Sequence, residues 1–144
     1  IMARIKLALP ESFSFSTTLP VRITDLNYGG HVGNDTILSL LHEARMQYLQ
    51  SLGFSELDFG GASLIMGDVA IEFKAELFYG DALKAYVTAG DFTRVGFDLY
   101  YELLVEKEGK EVTIAAAKTG MVCFNYSTRK VVAVPQEAID KMKV

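Results

Sequence analysis

Apolar positions along this chain change their period once. From Thr36 to Leu52 the chain reads TILSLLHEARMQYLQSL. Ile37, Leu40, Leu41, Ala44, Tyr48 and Leu52 recur at the three- and four-residue spacing of a helix, which predicts one apolar stripe. Ser39, Glu43, Gln47 and Gln50 fall opposite the stripe. Leu38, Met46 and Leu49 widen the apolar arc, so the spacing predicts a helix enclosed on several sides. Asn34 or Asp35 is placed to cap its first turn, and Gly53 suits its end.

Beyond Gly60-Gly61 the period becomes two. Ile65, Val69, Ile71 and Phe73 alternate with Asp68 and Glu72, and Phe97 to Val105 alternate with Asp98, Glu102 and Glu106. Such alternation predicts strands. Residues 82–92 form another strand, Lys107 to Lys110 a tight turn, and Val112 to Phe124 a long central strand. Val131 to Val134 makes a short last strand, and Pro135 opens a small C-terminal helix. A strand over LPVRIT precedes the long helix and ends near Asp25. The class is α+β. A curved antiparallel sheet wrapped around one long central helix is the economical way to bury these faces together.

Size and charge narrow what such a layer can do. The 144 residues suit a single domain over 1–144, and half of them are hydrophobic. Net charge is −4 and no Lys/Arg run stands out, which argues against nucleic acid or an anionic membrane as partner. A small anionic ligand needs only a few local cations. Cys123 is the only cysteine, so no intrachain disulfide forms and a reducing, cytoplasmic setting fits. The N-terminal stretch has no apolar run suited to a signal peptide or membrane span. Two histidines and one cysteine at unrelated spacings suggest no metal site and no bound cofactor.

The candidate chemistry lies in DLNYGGHVGND, Asp25 to Asp35, just ahead of the helix. A helix N-terminus offers unpaired amides and partial positive charge, which favour anions and the oxyanion of an acyl-transfer step. Gly29, Gly30 and Gly33 allow close approach of a ligand. Asp25 could attack a carbonyl or activate water. Asp, Asn and Gly also turn chains and cap helices, so a structural role stands beside the catalytic one. His31 has the same two readings. Glu43, on the helix, is the second carboxylate candidate, with a salt bridge to Arg45 or to a neighbouring strand as its structural alternative. No G-x-S-x-G or phosphate-binding glycine loop is present. Cys123 sits in an apolar strand and reads as core.

VRITDLNYGGHVGNDTILSLLHEAR resembles the opening of hot-dog-fold thioesterases of the 4-hydroxybenzoyl-CoA and acyl-CoA thioesterase group. These show a pattern like V-R-x-x-D-x-D/N-x-x-G-H-V-N-N, followed by E-A-R on the helix. Val21, Arg22, Asp25, Asn27, Gly30, His31, Val32, Asn34, Glu43, Ala44 and Arg45 match it. IEFKAELFYGDAL and KVVAVPQEAID resemble the family's later strands and tail. The chain departs from the pattern at Asn27, often aspartate, at Gly33, often asparagine, and at Ile37, usually tyrosine.

The resemblance implies a hot-dog fold and hydrolysis of an acyl-CoA or acyl-carrier-protein thioester. It places Asp25 at the family's conserved acid, with His31 and Glu43 as further catalytic candidates. Asn27, Gly30, Val32, Gly33 and Asn34 become substrate-binding positions, with oxyanion donors among the amides of Gly30 to Gly33. It implies a homodimer or homotetramer with sites between subunits. A non-catalytic thioester-binding protein and an enoyl-CoA hydratase are the alternatives, although His31 lies one residue too far from Asp25 for the hydratase motif. Lys74, Arg94 and Arg129 are candidate partners for the CoA phosphates.

Overall fold

A computed structural model describes residues 4–143; residues 1–3 and 144 lie outside it. Strand β1 (Phe15–Pro20) leads into helix α1 (Asn34–Ser51), then β2 (Ser63–Phe73), β3 (Ala82–Gly90), β4 (Gly96–Lys107), β5 (Lys110–Asn125), the two-residue β6 (Lys130–Val131) and helix α2 (Gln136–Met142). Every pairing is antiparallel, in the order β1-β3-β4-β5-β2, with β6 also on β5. This is the α+β, helix-on-curved-sheet arrangement of a hot-dog fold.

The alternation in β4 works as expected. Phe97, Leu99, Tyr101, Leu103 and Val105 are buried, and Asp98 and Glu102 lie on the other face, half-buried. The strand expected to be central, β5, is an interior strand between β4 and the edge strand β2, and Ala115, Ala116 and Ala117 are all buried within it. Small side chains there leave room for α1 on one face. The β4–β5 connection turns through Glu108 and Gly109, both at positive φ, the two-residue hairpin geometry that matches strand twist.

Four details depart from the sequence reading. The strand expected over LPVRIT stops at Pro20, and a 3-10 turn, Ile23–Asp25, follows. The Asp25 carboxylate accepts the Arg22 amide hydrogen at 2.8 Å and so closes that turn. The residue capping α1 is Gly33, without any side-chain cap. Leu38 and Met46 are exposed, so α1 is buried along one face, not enclosed all round. The last strand is only Lys130–Val131, because Val134 leaves the sheet to bond the Arg94 carbonyl.

Arg45 is buried at the middle of α1. Its Nε faces Glu56 Oε2 at 3.4 Å as an ion pair, and its Nη1 donates to the Tyr101 hydroxyl at 3.3 Å. Tyr101 in turn meets the buried Thr119 hydroxyl at 2.7 Å. Glu56 also receives His42 Nε2 at 2.6 Å. This chain of polar contacts ties helix, following loop and sheet together.

Candidate active site

The loop from Asp25 to Gly33 is held from within and from one side. Its ends pair through Leu26 and Val32, the Asn27 amide donates to the His31 carbonyl at 2.9 Å, and Gly30, at φ +85°, closes the tip. The Val32 amide donates to the Leu77 carbonyl at 2.8 Å, and His31 bridges to Phe78. The β2–β3 connection therefore clamps the loop just before α1 begins. Tyr28 stands fully exposed at its tip.

These bonds decide which amides are free. Gly30 donates to Asn27 and Val32 donates to Leu77, so neither is available to an oxyanion. That narrows the expected donors within Gly30 to Gly33 to His31 and Gly33. Among the described residues, the amides of His31, Gly33, Asn34 and Asp35 donate to no backbone or side-chain acceptor. Three of these four sit at the cap and first turn of α1, where the helix field also favours negative charge. Asn27 lies against them: its Oδ1 accepts the Gly29 amide hydrogen at 2.8 Å, and its Nδ2 is 3.7 Å from where a Cβ on Gly33 would stand. A Cβ on Gly33 would also stand 2.6 Å from Asp35 Oδ1. That oxygen ends an exposed side chain that can turn aside, and the Gly33 backbone is extended, so the fold does not demand glycine here.

Two hollows flank this loop. One, of ≈ 260 Å³, opens between β1 and α1, with Arg22, Asp25, Ser39, Leu40, Glu43 and Gln47 in its wall. It brings Asp25 and Glu43 into one cleft. Asp25 is buried, and Arg22 holds both its oxygens, by its amide at 2.8 Å and its guanidinium at 3.3 Å. Each oxygen keeps a further lone pair. Glu43 is exposed and receives the Gln47 amide at 2.8 Å. The bridge from Glu43 to Arg45 does not form, because Arg45 points into the core toward Glu56.

The second hollow, of ≈ 270 Å³, lies on the other side of the loop, with His31, Asn34, Phe73, Lys74 and Glu76 among its lining residues. His31 is therefore separated from the Asp25–Glu43 cleft, and its Nδ1 meets the Val32 carbonyl at 3.2 Å. Lys74 joins His31 there. Arg94 and Arg129 line neither hollow; Arg94 precedes β4 and Arg129 lies in the turn before β6.

Sequence reasoning did not single out Arg22 as the partner of Asp25, or Gln47 as the partner of Glu43. The i, i+3 and i, i+4 spacings of these pairs were the available signal. Among the described residues no group of His, Cys, Asp and Glu is arranged to hold a metal ion. Cys123 is fully buried, and burial pushes its thiol up to about 11, so it is no nucleophile.

Comparison with known proteins agrees with this geometry. A family model described as the thioesterase-like superfamily matches residues 21–142. A 1,4-dihydroxy-2-naphthoyl-CoA hydrolase of Microcystis aeruginosa is 28% identical over 119 residues, covering 81% of this chain and 83% of that protein. The solved structure of a 1,4-dihydroxy-2-naphthoyl-CoA thioesterase from Synechocystis superposes with a TM-score of 0.80 at 25% identity, over 90% of this chain and 95% of that one. A thioesterase-superfamily structure from Jannaschia sp. has the same fold, with a TM-score of 0.80 at 16% identity, over 94% of this chain and 87% of that one. A match that spans the loop, α1 and strands β2 to β6 establishes the family: the chain belongs to the thioesterase-like superfamily.

Proposed function

We propose that this protein hydrolyses an acyl-CoA thioester to the free acid and CoA, with the reacting carbonyl at the first turn of α1. The family match over residues 21–142 carries the activity. The free amides of Gly33, Asn34 and Asp35 supply the site. In this reading the carbonyl oxygen points at those amides, with the Asn27 carboxamide beside it. Negative charge develops on that oxygen as the carbonyl becomes tetrahedral, and fixed donors stabilise it most at that point.

Asp25 is the base or nucleophile of this reading. As base it takes a proton from water, whose oxygen adds to the carbonyl carbon; collapse then expels the CoA thiolate. As nucleophile it forms an anhydride that water opens. Its position supports this role over Glu43. Asp25 shares its cleft with Ser39 and Leu40, only five or six residues into α1, whereas Glu43 is nine residues beyond Asn34. At 1.5 Å rise per residue, Glu43 lies about 13 Å along the axis from the first-turn amides. The acyl group then runs from the loop into the β1–α1 cleft, and the CoA leaves past His31 and Lys74.

The relatives named for 1,4-dihydroxy-2-naphthoyl-CoA make aromatic acyl groups the first to assay. The reading includes one domain over 1–144, a cytoplasmic protein and a homodimer or homotetramer. β1 and β2 leave two sheet edges unpaired, with Met66, Val69 and Phe73 exposed on β2, which supports assembly. No helix among the described residues is long and apolar enough to cross a membrane.

The test is release of free thiol from aromatic and aliphatic acyl-CoAs, with hydration of enoyl-CoA followed in parallel. Turnover of at least one thioester is expected. Tight binding without turnover, or hydration alone, would replace this reading.

A further inference from the structure

We propose that Thr17 and Gln47 form a removable partition in a channel along the β1–α1 seam, and that this pair sets the acyl length the protein accepts. The proposal rests on the reading that places the acyl group in the Asp25 cleft.

The seam holds two hollows end to end. The first, with Asp25 and Glu43, ends at Gln47. The second, of ≈ 480 Å³, begins one residue further along α1, with Phe15, Tyr48, Ser51, Leu52 and Lys141 in its wall. β1 runs alongside: Thr18, Leu19 and Pro20 line the first hollow, and Ser14 and Phe15 line the second. Thr17 stands between. Its hydroxyl donates to Gln47 Oε1 at 2.5 Å, and Gln47 Nε2 donates to Glu43 Oε2 at 2.8 Å. One side chain therefore spans the seam between the two hollows.

The chemistry on either side differs. The first hollow carries carboxylates and Arg22. The second is walled by the rings of Phe15 and Tyr48, whose centroids lie 5.7 Å apart, and by Leu52. Its one cation, Lys141, is occupied by the Leu52 carbonyl at 3.1 Å and by Glu137 at 3.3 Å. Burial raises the pKa of the Tyr48 phenol, which stays neutral. Apart from the hydroxyls of Ser14, Ser51 and Tyr48, such walls suit methylene groups. The occupant that reaches them from the cleft is the far end of the substrate's own acyl chain.

The partition is also movable. Phe15, Thr17 and Leu19 face inward on β1, and Thr17 is the polar member of the three. A leucine or valine there would seal the seam by packing alone. A glutamine held by two hydrogen bonds closes it equally well, yet it can swing aside by side-chain rotation once a chain displaces it. Short acyl groups stop at Gln47; longer ones need it moved.

The experiment compares kcat/KM for straight-chain acyl-CoAs, butanoyl to hexadecanoyl, in wild type, Thr17→Ala and Gln47→Ala. Because Gln47 also holds Glu43, the readout is the ratio of long-chain to short-chain kcat/KM, not either value alone. Each substitution is expected to raise that ratio about tenfold, as burial of two further methylene groups would. Adding Ser51→Trp, which fills the second hollow, should return the ratio to the wild-type value. Calorimetric binding of the corresponding free fatty acids gives the same comparison without turnover. Gain of long-chain binding in Gln47→Ala with no hydrolysis by any variant would support the channel and defeat the hydrolase reading. An unchanged ratio and unchanged fatty-acid affinity in both folded variants, with hydrolysis intact, would overturn the channel alone.

Discussion

The two hollows beside the Asp25–Gly33 loop differ in chemistry. On the β1 side are two carboxylates and Arg22; on the other are Asn34 at the start of α1, His31, Lys74 and Glu76. One side can supply a base, and the other offers Lys74 to a phosphate near the first-turn amides. Neither alone makes a thioesterase. The difference teaches that the loop is the working part, because only a substrate lying across it meets both. It also ranks the carboxylates. Asp25 belongs to the loop and shares its cleft with Ser39 and Leu40, whereas Glu43 sits about one turn beyond those residues.

The largest effect is expected at Asp25. Asp25→Asn should lower kcat on the order of 10²–10⁴-fold, the usual cost of losing a general base. It should lower stability by only about 1 kcal/mol, because an amide oxygen can still accept the Arg22 amide hydrogen. Glu43→Gln should stay within about threefold of wild-type turnover, a change of roughly 0.65 kcal/mol. Turnover and melting temperature on the same preparations separate these outcomes. A near-normal Asp25→Asn with a crippled Glu43→Gln would reverse the ranking.

Next comes the tie that holds α1 in place. Arg45→Ala leaves Glu56 without its buried partner and removes the donor to Tyr101. Breaking a buried pair on one side costs about 3–5 kcal/mol, and denaturant unfolding should show a loss of that order. Because Arg45 faces neither hollow, turnover per folded molecule should change little.

A smaller effect belongs to Lys74. Lys74→Glu should raise KM for acyl-CoA about three- to tenfold with kcat unchanged, as for an exposed ion pair. That increase should shrink in high salt. A fall in kcat with steady KM would place Lys74 at the reacting carbonyl.

The smallest effect is at Cys123, remote from both hollows. Burial raises its thiol from 9.0 to about 11. Between those values the unfolded chain has lost a proton that the folded chain keeps, so folding binds protons and stability falls as pH rises through this window. Below the unfolded value this contribution is intact. An aromatic disulfide reagent at pH 8 should leave the folded protein unlabelled and label it in denaturant.

Regular elements were legible in the sequence because their period is local. The stripe from Ile37 to Tyr48 and the alternation through β4 each repeat within a few residues, and both faces are buried as read. The loop was legible because its residue types are few and closely spaced. Its hydrogen bonding was not. The Val32 amide, for example, is taken by Leu77, more than forty residues on. The wide apolar arc of α1 misled for the opposite reason: Leu38 and Met46 are apolar but face out, where a single chain offers nothing to cover them. Arg45 reads in the sequence as a partner for Glu43; its burial was not legible, because Glu56 and Tyr101, which make it tolerable, come from other elements. Gln47 gave only a polar position on a helix; Thr17, thirty residues earlier, makes it a bridge.

The central claim is that the thioester carbonyl meets the start of α1 while its acyl group enters the β1–α1 cleft. A crystal structure with a ketone analogue of acyl-CoA, in which a methylene replaces the thioester sulfur, tests it directly. The account predicts the ketone oxygen within hydrogen-bond distance of the amides of Gly33 to Asp35, the acyl group beside Asp25, and the CoA on the His31–Lys74 side. A ketone oxygen held by Arg22 next to Glu43, with the first-turn amides left to water, would contradict it.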